Sequence, residues 1–344
     1  MSPLRTGSDL IKASRPYASE DLSVTWRLFA TTLLAAAVCA ALAAYEPLGW
    51  FRLIPSAVLG LINVRLFIFY HDALHGAIFR KSTVGKWLMR IYGLIILTPE
   101  RVWKDSHNYH HAHTAKIVGA SIGSYPVLTL RMYKMASPWQ RLQYRMARHW
   151  ITMALGHVTV FLLGMCVRPL MQNPRRNWTA ALSLVVHLGI IAAIGLTAGW
   201  VTAVLTFAFP MALSFAVGSY LFFAQHNFPD IQVKDRRDWE FTLAALHSSS
   251  MMEVNPVMRW LTGDIGYHHV HHLNSMIPFY RLEEAMNAIP ELQTPHVTTL
   301  KARDVFACLN TAVWDPAQGR MLTYRELRSA MNEGDGQRPA QAAA

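Results

Sequence analysis

A chain of 344 residues with 52% hydrophobic and only 15% charged side chains is unlike a soluble globule, in which about 25% charged residues is typical. Its formal net charge is +11, but the Lys and Arg residues flank long apolar runs, the pattern of cytoplasmic loops of membrane proteins, and this argues against nucleic-acid binding. Cys39, Cys166 and Cys308 are the only cysteines; they form neither a disulfide framework nor a zinc motif and read as small buried hydrophobes.

In chain order, residues 1–26 lack the apolar stretch of a cleaved signal peptide and read as a basic cytoplasmic leader. Residues 28–45 form an uncharged apolar run, "EPLGWFR" makes a turn, and residues 53–70 form a second run interrupted by Asn63 and Arg65. A helix of 18 residues is about 27 Å long, close to the roughly 30 Å hydrocarbon core of a bilayer. The two runs therefore predict a helical hairpin, with Arg65 snorkelling to the interface in preference to pairing inside the site. Residues 87–99, ending in "IYGLIILTP", are too short to cross and predict an interfacial or re-entrant piece. Residues 131–148 carry Arg131, Lys134, Arg141, Arg145 and Arg148 and predict a basic helix on the headgroups. Residues 149–167 are nearly long enough to cross. Crossing would put Arg175 and Arg176 outside and split the histidines across the membrane, so this piece is expected to lie in or dip into the bilayer. No charged residue occurs between Asn177 and Pro229, which predicts two more spans, 178–198 and 201–223, joined at "TAGW", with Pro210 kinking the second. Residues 291–330 read as a cytoplasmic C-terminal segment and 331–344 as a disordered tail.

The expected fold is an all-α integral membrane protein with four transmembrane helices as two hairpins. A membrane domain over 27–290 would carry a cytoplasmic helical cap, with every histidine cluster on the cytoplasmic side.

The histidines supply the chemistry. "HDALH" places His71 and His75 at i and i+4, on one helical face, a spacing that lets two imidazoles reach one metal. "HNYHHAH" gives His107, His110 and His111 as HxxHH, three ligands on one face, with His113 off it as a hydrogen-bond partner. "HHVHH" repeats the pattern with His268, His271 and His272 and leaves His269 pointing elsewhere. Recurrence of ligand spacing on one side of a membrane points to metal binding. His226, in "FFAQHNFPD" where the fourth span ends, is a ninth candidate, whereas His149, His157, His187, His247 and His296 are scattered and read as packing or surface residues. Eight or nine imidazoles exceed what one ion takes and imply two; imidazole suits Fe, Zn, Cu and Ni alike. Asp72, Asp105, Asp230 and Asp264, with His113 and His269, are candidates for outer partners that fix ring tautomers.

These motifs resemble the membrane-bound fatty acid desaturases with three histidine boxes, HxxxH, HxxHH and HxxHH, and within them the acyl-lipid omega-6/delta-12-like branch. "HDALHGAIF", "TPERVWKDSHNYHHAHT", "QHNFPD" and "TGDIGYHHVHHLNSMIPFY" carry the resemblance, in order, over residues 60–290. The chain departs from that pattern at Ala73-Leu74 in the first box and at Pro229 after the fourth span. The resemblance implies four spans, a cytoplasmic di-iron centre and O2-dependent dehydrogenation of a fatty acyl chain. It also implies that His71, His75, His107, His110, His111, His226, His268, His271 and His272 are the iron ligands. With no cytochrome b5 segment, Gly-rich nucleotide fingerprint or CxxC pattern in the sequence, electrons are expected from a separate ferredoxin or cytochrome b5. Two other readings stand beside this one: a fatty acyl or hydrocarbon hydroxylase or ketolase of the same architecture, and a membrane metal transporter.

Overall fold

The computed structural model describes residues 5–117, 123–235 and 237–335. Four helical stretches in it are long and apolar enough to cross a membrane: Leu22–Ala44, Glu46–His75, Trp178–Ala198 and Trp200–His226. They fall where the apolar runs predict. The second span is the central one and packs against the first and the fourth. Its residues Ile62 to Leu66 and Ile68 to Asp72 are all buried, as expected of a helix that is apolar on every side. Gly60 permits the close approach to the fourth span, because a Cβ there would lie 3.0 Å from the Pro210 carbonyl oxygen.

The two arginines inside this bundle have internal partners. Arg52, in the turn after the first span, donates to the Ala43 carbonyl and to Thr202 Oγ1, capping a helix end that water cannot reach. Arg65 does not snorkel. It is 3% exposed, donates to Thr32 Oγ1 and to the Trp260 carbonyl, and lies over the rings of Phe69, Trp260 and Phe279. Neutral acceptors and aromatic faces replace its hydration, so the long climb to the interface is unnecessary.

The short piece at 87–99 forms the helix Thr83–Ile95 and then a reversal with Leu97 at φ 55°. Its free carbonyls are taken up by side chains from three directions. Ser183 donates to Leu94, His187 Nδ1 to Ile95 and Cys166 to Leu97, while the Tyr70 hydroxyl donates to Thr98. His187 is therefore not a lone packing residue, and its Nε2 lies 2.9 Å from Nε2 of His157. Residues 149–167 break into the helix Trp150–Ala154 and the π-helical His157–Val167, which continues as Arg168–Gln172; this apolar helix is shorter than the four spans. Pro210 has a comparable effect in the fourth span, where a π-helical turn over Val204–Ala208 precedes it and absorbs the missing donor.

The basic stretch 131–148 is two helices, Leu130–Met135 and Pro138–Ala147, separated by a capping box of Ser137 and Gln140. Arg148 does not face headgroups: it is 1% exposed, and its guanidinium donates to the Pro126 carbonyl, Asn227 Oδ1 and both oxygens of Thr311. The C-terminal part adds two small sheets to the helical body. Met251–Glu253 pairs in parallel with Val297–Thr299, and Thr311–Asp315 pairs antiparallel with Arg320–Thr323. The helix Tyr324–Asp335 runs through the first five residues of the expected disordered tail. The rest of that tail, 336–344, and the first four residues of the leader lie outside the described residues.

Candidate metal centre

Each histidine box ends up on a helical turn whose boundaries are legible in the local sequence. Gly76, at φ 74°, terminates the second span immediately after His75; glycine takes this left-handed cap at no steric cost. The helix Glu100–His113 turns His107, His110 and His111 inward and leaves Asn108 and Ala112 exposed. The short helix His268–Leu273 is buried along its whole length and is positioned by the Met252 amide donating to the Gly266 carbonyl.

The nine histidines converge as two groups, His71, His75, His107, His111 and His271 in one, and His110, His226, His268 and His272 in the other. Within each group the candidate ligand atoms all lie within 4.8 Å of one another. The i and i+4 members of each box enter the same group, and the i+3 member of each HxxHH enters the other. Three ligands on one face, the expectation from spacing, is thus refined to a pair and a single.

In the first group, Nε2 of His107 is 3.1 Å from that of His71 and from that of His111, and Nε2 of His271 is 3.2 Å from that of His111. In the second, Nε2 of His226 is 3.1 Å from that of His110 and 2.8 Å from that of His268, which is 3.1 Å from that of His272. The groups abut where the rings of His111 and His272 stack at 4.2 Å.

These contacts are not a hydrogen-bond network. His226 Nδ1 lies 3.1 Å from the Ser248 carbonyl, to which it must donate, so its Nε2 offers a lone pair to two neighbours at once. His71 Nδ1 lies 2.9 Å from Asp72 Oδ1, an arrangement that places a lone pair on its Nε2 as well. Nε2 of His75 is buried without a partner. Bonds of about 2.0–2.1 Å from a metal to imidazole nitrogen set adjacent donors roughly 3 Å apart, which is the spacing observed. Burial, and then the neighbouring imidazoles, hold His107, His110, His111, His268, His271 and His272 well below the ordinary histidine range. They are neutral, the form that binds metal.

Of the candidate outer partners, Asp72 is in place. It is 1% exposed, and besides holding His71 it accepts the Phe279 amide at 2.7 Å. The other candidates do not touch the nine rings. Asp105 faces outward and pairs with Arg176, Asp264 pairs with Arg259, and Asp230 is exposed, 3.9 Å from His296. His113 stacks on Tyr109 of its own helix, and His269 Nε2 contacts the Leu292 carbonyl. Three partners were not anticipated: Trp103, stacked on His107 at 4.2 Å; Thr114, whose Oγ1 is 3.4 Å from His272 Nδ1; and the Ser248 carbonyl. Thr114 directly follows the second box and could have been found there; a backbone carbonyl leaves no trace in the sequence.

A cavity of about 1390 Å³ opens beside the two groups. His71, His107 and His268 line it, together with Trp103 and Phe222 near the imidazoles and Phe161 and Phe215 elsewhere on its wall.

The fatty acid desaturase family model matches residues 48–303 of the chain. The chain is similar to a fatty acid desaturase of Bacillus subtilis (strain 168), with 30% identity over 265 residues, 77% of this chain and 75% of that one. It is similar to an sn-1 acyl-lipid omega-3 desaturase (ferredoxin) of Synechocystis sp. (strain ATCC 27184 / PCC 6803 / Kazusa), with 26% identity over 261 residues, 72% of this chain and 70% of that one. An sn-1 oleoyl-lipid 12-desaturase of Anabaena variabilis is 22% identical over 253 residues, 70% of each chain.

Proposed function

The chain belongs to the fatty acid desaturase family and is an integral membrane oxidoreductase; on that footing we propose that it removes two hydrogens from adjacent methylenes of a lipid-bound acyl chain at a nine-histidine di-iron site. The observation that carries this reading is joint: two sets of converging imidazoles open onto one cavity with aromatic walls. His71, His75, His107, His111 and His271 would hold one iron, and His110, His226, His268 and His272 the other. Bound there, the irons supply activation of O2 and oxidation of an unactivated C–H bond.

The surrounding residues have the tasks of holding, orienting and drying. Asp72 and the Ser248 carbonyl fix the tautomers of His71 and His226, so that each Nε2 lone pair points inward. Trp103 and Phe222 wall the cavity beside the imidazoles, excluding water and confining the reacting methylenes. Overall, O2 takes up four electrons and four protons and leaves as two waters. Two of each come from the acyl CH2–CH2 unit and two of each from outside.

The external electrons would come from a separate one-electron donor, a ferredoxin or cytochrome b5; one relative carries ferredoxin in its name. Relatives named for acyl-lipid substrates support a lipid-bound chain. If the four apolar helices each cross, as two hairpins, then Leu22, His75, Trp178 and His226 would lie on one side of the membrane. The exposed Arg175, Arg176, Lys234 and Arg237 beyond these ends favour the cytoplasmic side of a bacterial inner membrane. In this reading residues 27–290 form the catalytic unit.

The test is a fatty-acid profile of a host expressing the protein beside a His271→Ala control, with double bonds located by mass spectrometry, and an iron count on the purified protein. A new unsaturated acyl chain with the intact protein alone, and two irons per chain, are expected. A hydroxylated or oxidised lipid instead would refute desaturation, and a chain purified without iron would refute the di-iron site.

A further inference from the structure

The reaction proposed above consumes two external electrons per double bond, and the structure indicates where they arrive. Among the described residues, three hydrogen-bonded lines lead outward from the nine rings. The line from His71 runs through Asp72 to the Phe279 amide and stops in the interior, where Phe279 is 1% exposed. The line from His226 runs from Nδ1 to the Ser248 carbonyl, and the Ser248 hydroxyl donates to the carbonyl of the exposed Gln232. The line from His272 crosses 3.4 Å to Thr114 Oγ1, and the Thr114 carbonyl accepts the indole N–H of half-buried Trp239 at 2.8 Å.

The second and third lines both start in the four-histidine group, and both surface in the same place. The Lys234 amide donates to the Ala115 carbonyl and the Ile117 amide to the Lys234 carbonyl, which sews residues 115–117 to the segment carrying Gln232 and Trp239. Lys116 Nζ sits 4.7 Å above the Trp239 ring. Lys234 and Arg237 are exposed beside it. Asp235 and Asp238 are there too, but the Asp235 carboxylate is turned onto the amides of Arg237 and Asp238. So many exposed charges place this patch in water, away from lipid.

We propose that electrons enter the metal site here: an acidic one-electron iron–sulfur protein docks its carboxylates on Lys116, Lys234 and Arg237, and its electrons pass through Trp239 and Thr114 to His272. Tunnelling decays steeply across empty gaps, so a path of covalent and hydrogen bonds from a surface indole to a ligand ring outcompetes routes through loose packing. Each docked donor is oxidised by one electron, and two successive donors supply the pair that the acyl chain does not. The cationic side chains raise the encounter rate, an effect that salt removes. Trp239 and Thr114 act through His272 and are positioning residues.

The test uses the iron-loaded full chain in nanodiscs, reduced in a stopped-flow instrument either by a reduced [2Fe–2S] ferredoxin or by dithionite. Lys234→Glu is expected to slow reduction by ferredoxin about tenfold or more, the scale of rate gain that steering charges supply, and Trp239→Leu, separately, is expected to slow it as well. Dithionite, small enough to bypass docking, should reduce both variants at the parent rate, with two irons retained. Equal slowing with dithionite would reduce Trp239 to a structural role, and an unchanged ferredoxin rate would remove it from the path; either overturns the proposal. Carbodiimide cross-linking of ferredoxin carboxylates to lysines needs no iron, so it separates this proposal from the di-iron reading. Links at Lys116 and Lys234 are expected, and links confined to other lysines would overturn the docking site.

Discussion

Replacing Asp72 by asparagine tests how tightly one outer carboxylate controls one metal. The Asp72 carboxylate presents Oδ1 to His71 Nδ1 at 2.9 Å and Oδ2 to the Phe279 amide at 2.7 Å, in a place only 1% exposed. Both partners are donors, and an asparagine has a single oxygen. If that oxygen stays with the Phe279 amide, whose orphaning would cost about 1–3 kcal/mol, the new NH2 faces His71 Nδ1. The ring must then accept at Nδ1 and carry its proton on Nε2, where it can no longer ligate. Loss of an outer partner of this kind lowers metal affinity by about 10–100-fold, or about 1.4–2.8 kcal/mol at 1.4 kcal/mol per decade. Only the five-histidine group contains His71. Titrating iron-loaded Asp72→Asn with a graded chelator should therefore show one of two irons leaving early and the other at the parent concentration. Asp105→Asn serves as the control, since its 57% exposed side chain pairs only with Arg176, an interaction worth about 0–1 kcal/mol. Asp72→Asn holding both irons like the parent, or Asp105→Asn losing one, would refute the reasoning.

Arg148→Leu strips the Pro126, Asn227 and Thr311 oxygens of their donor and should destabilise by several kcal/mol, about 1–3 for each buried acceptor left unpaired; an unchanged melting temperature in detergent would contradict this. The Arg5 side chain, hydrogen-bonded to Glu291, holds that carboxyl at about 2, below its ordinary 4.5. Because the folded value is the depressed one, the stabilisation is complete above pH 4.5 and is lost as pH falls towards 2. The melting temperatures of the parent and of Glu291→Gln should differ at pH 7 and converge across that window. Chelation should lower the melting temperature and ferrous iron restore it, since the proposed metal would be held by imidazoles that converge only in the folded chain; melting that ignores the chelator would count against a metal centre. Phe222→His, four residues before His226, should let the four-histidine group hold its metal more tightly in a competition titration while desaturation falls; an unchanged affinity would show that position 222 does not reach the metal.

Much of this was open to reading in the sequence, because composition and periodicity are local. The apolar runs located all four helices, the third at Trp178–Ala198 as expected. The first, however, starts six residues earlier, at Leu22, and the second runs five residues further, to His75, where Gly76 ends it. What escaped depends on partners far along the chain. Arg65 and Arg148 look like interfacial cations in sequence, and only the fold supplies Trp260, 195 residues from the one, and Thr311, 163 residues from the other. His157 and His187, read as unrelated, meet across 30 residues. Asp105 is a different case. It precedes His107 by two positions, about 200° around a helix of 3.6 residues per turn, so its outward direction was computable from spacing alone.

The same angular arithmetic explains the division of the nine rings. On a helix, residues i and i+4 are separated by about 40° and residues i+3 and i+4 by about 100°, so an HxxHH box aims two rings at one point and the third at another. The second box sends its pair, His107 and His111, to the five-histidine group and its single, His110, across; the third box does the reverse with His268, His272 and His271. Each HxxHH thus clamps both groups, in exchanged proportions, and neither group can move without turning both helices. The first box adds a further pair to one group, whereas His226 alone completes the other. Where a second histidine would stand at i−4 from His226, the chain has Phe222, its ring 5.4 Å from His226 and on the cavity wall. The group that is one imidazole short is therefore short on the side facing the cavity, where the proposed chemistry requires open space for O2 and an acyl methylene.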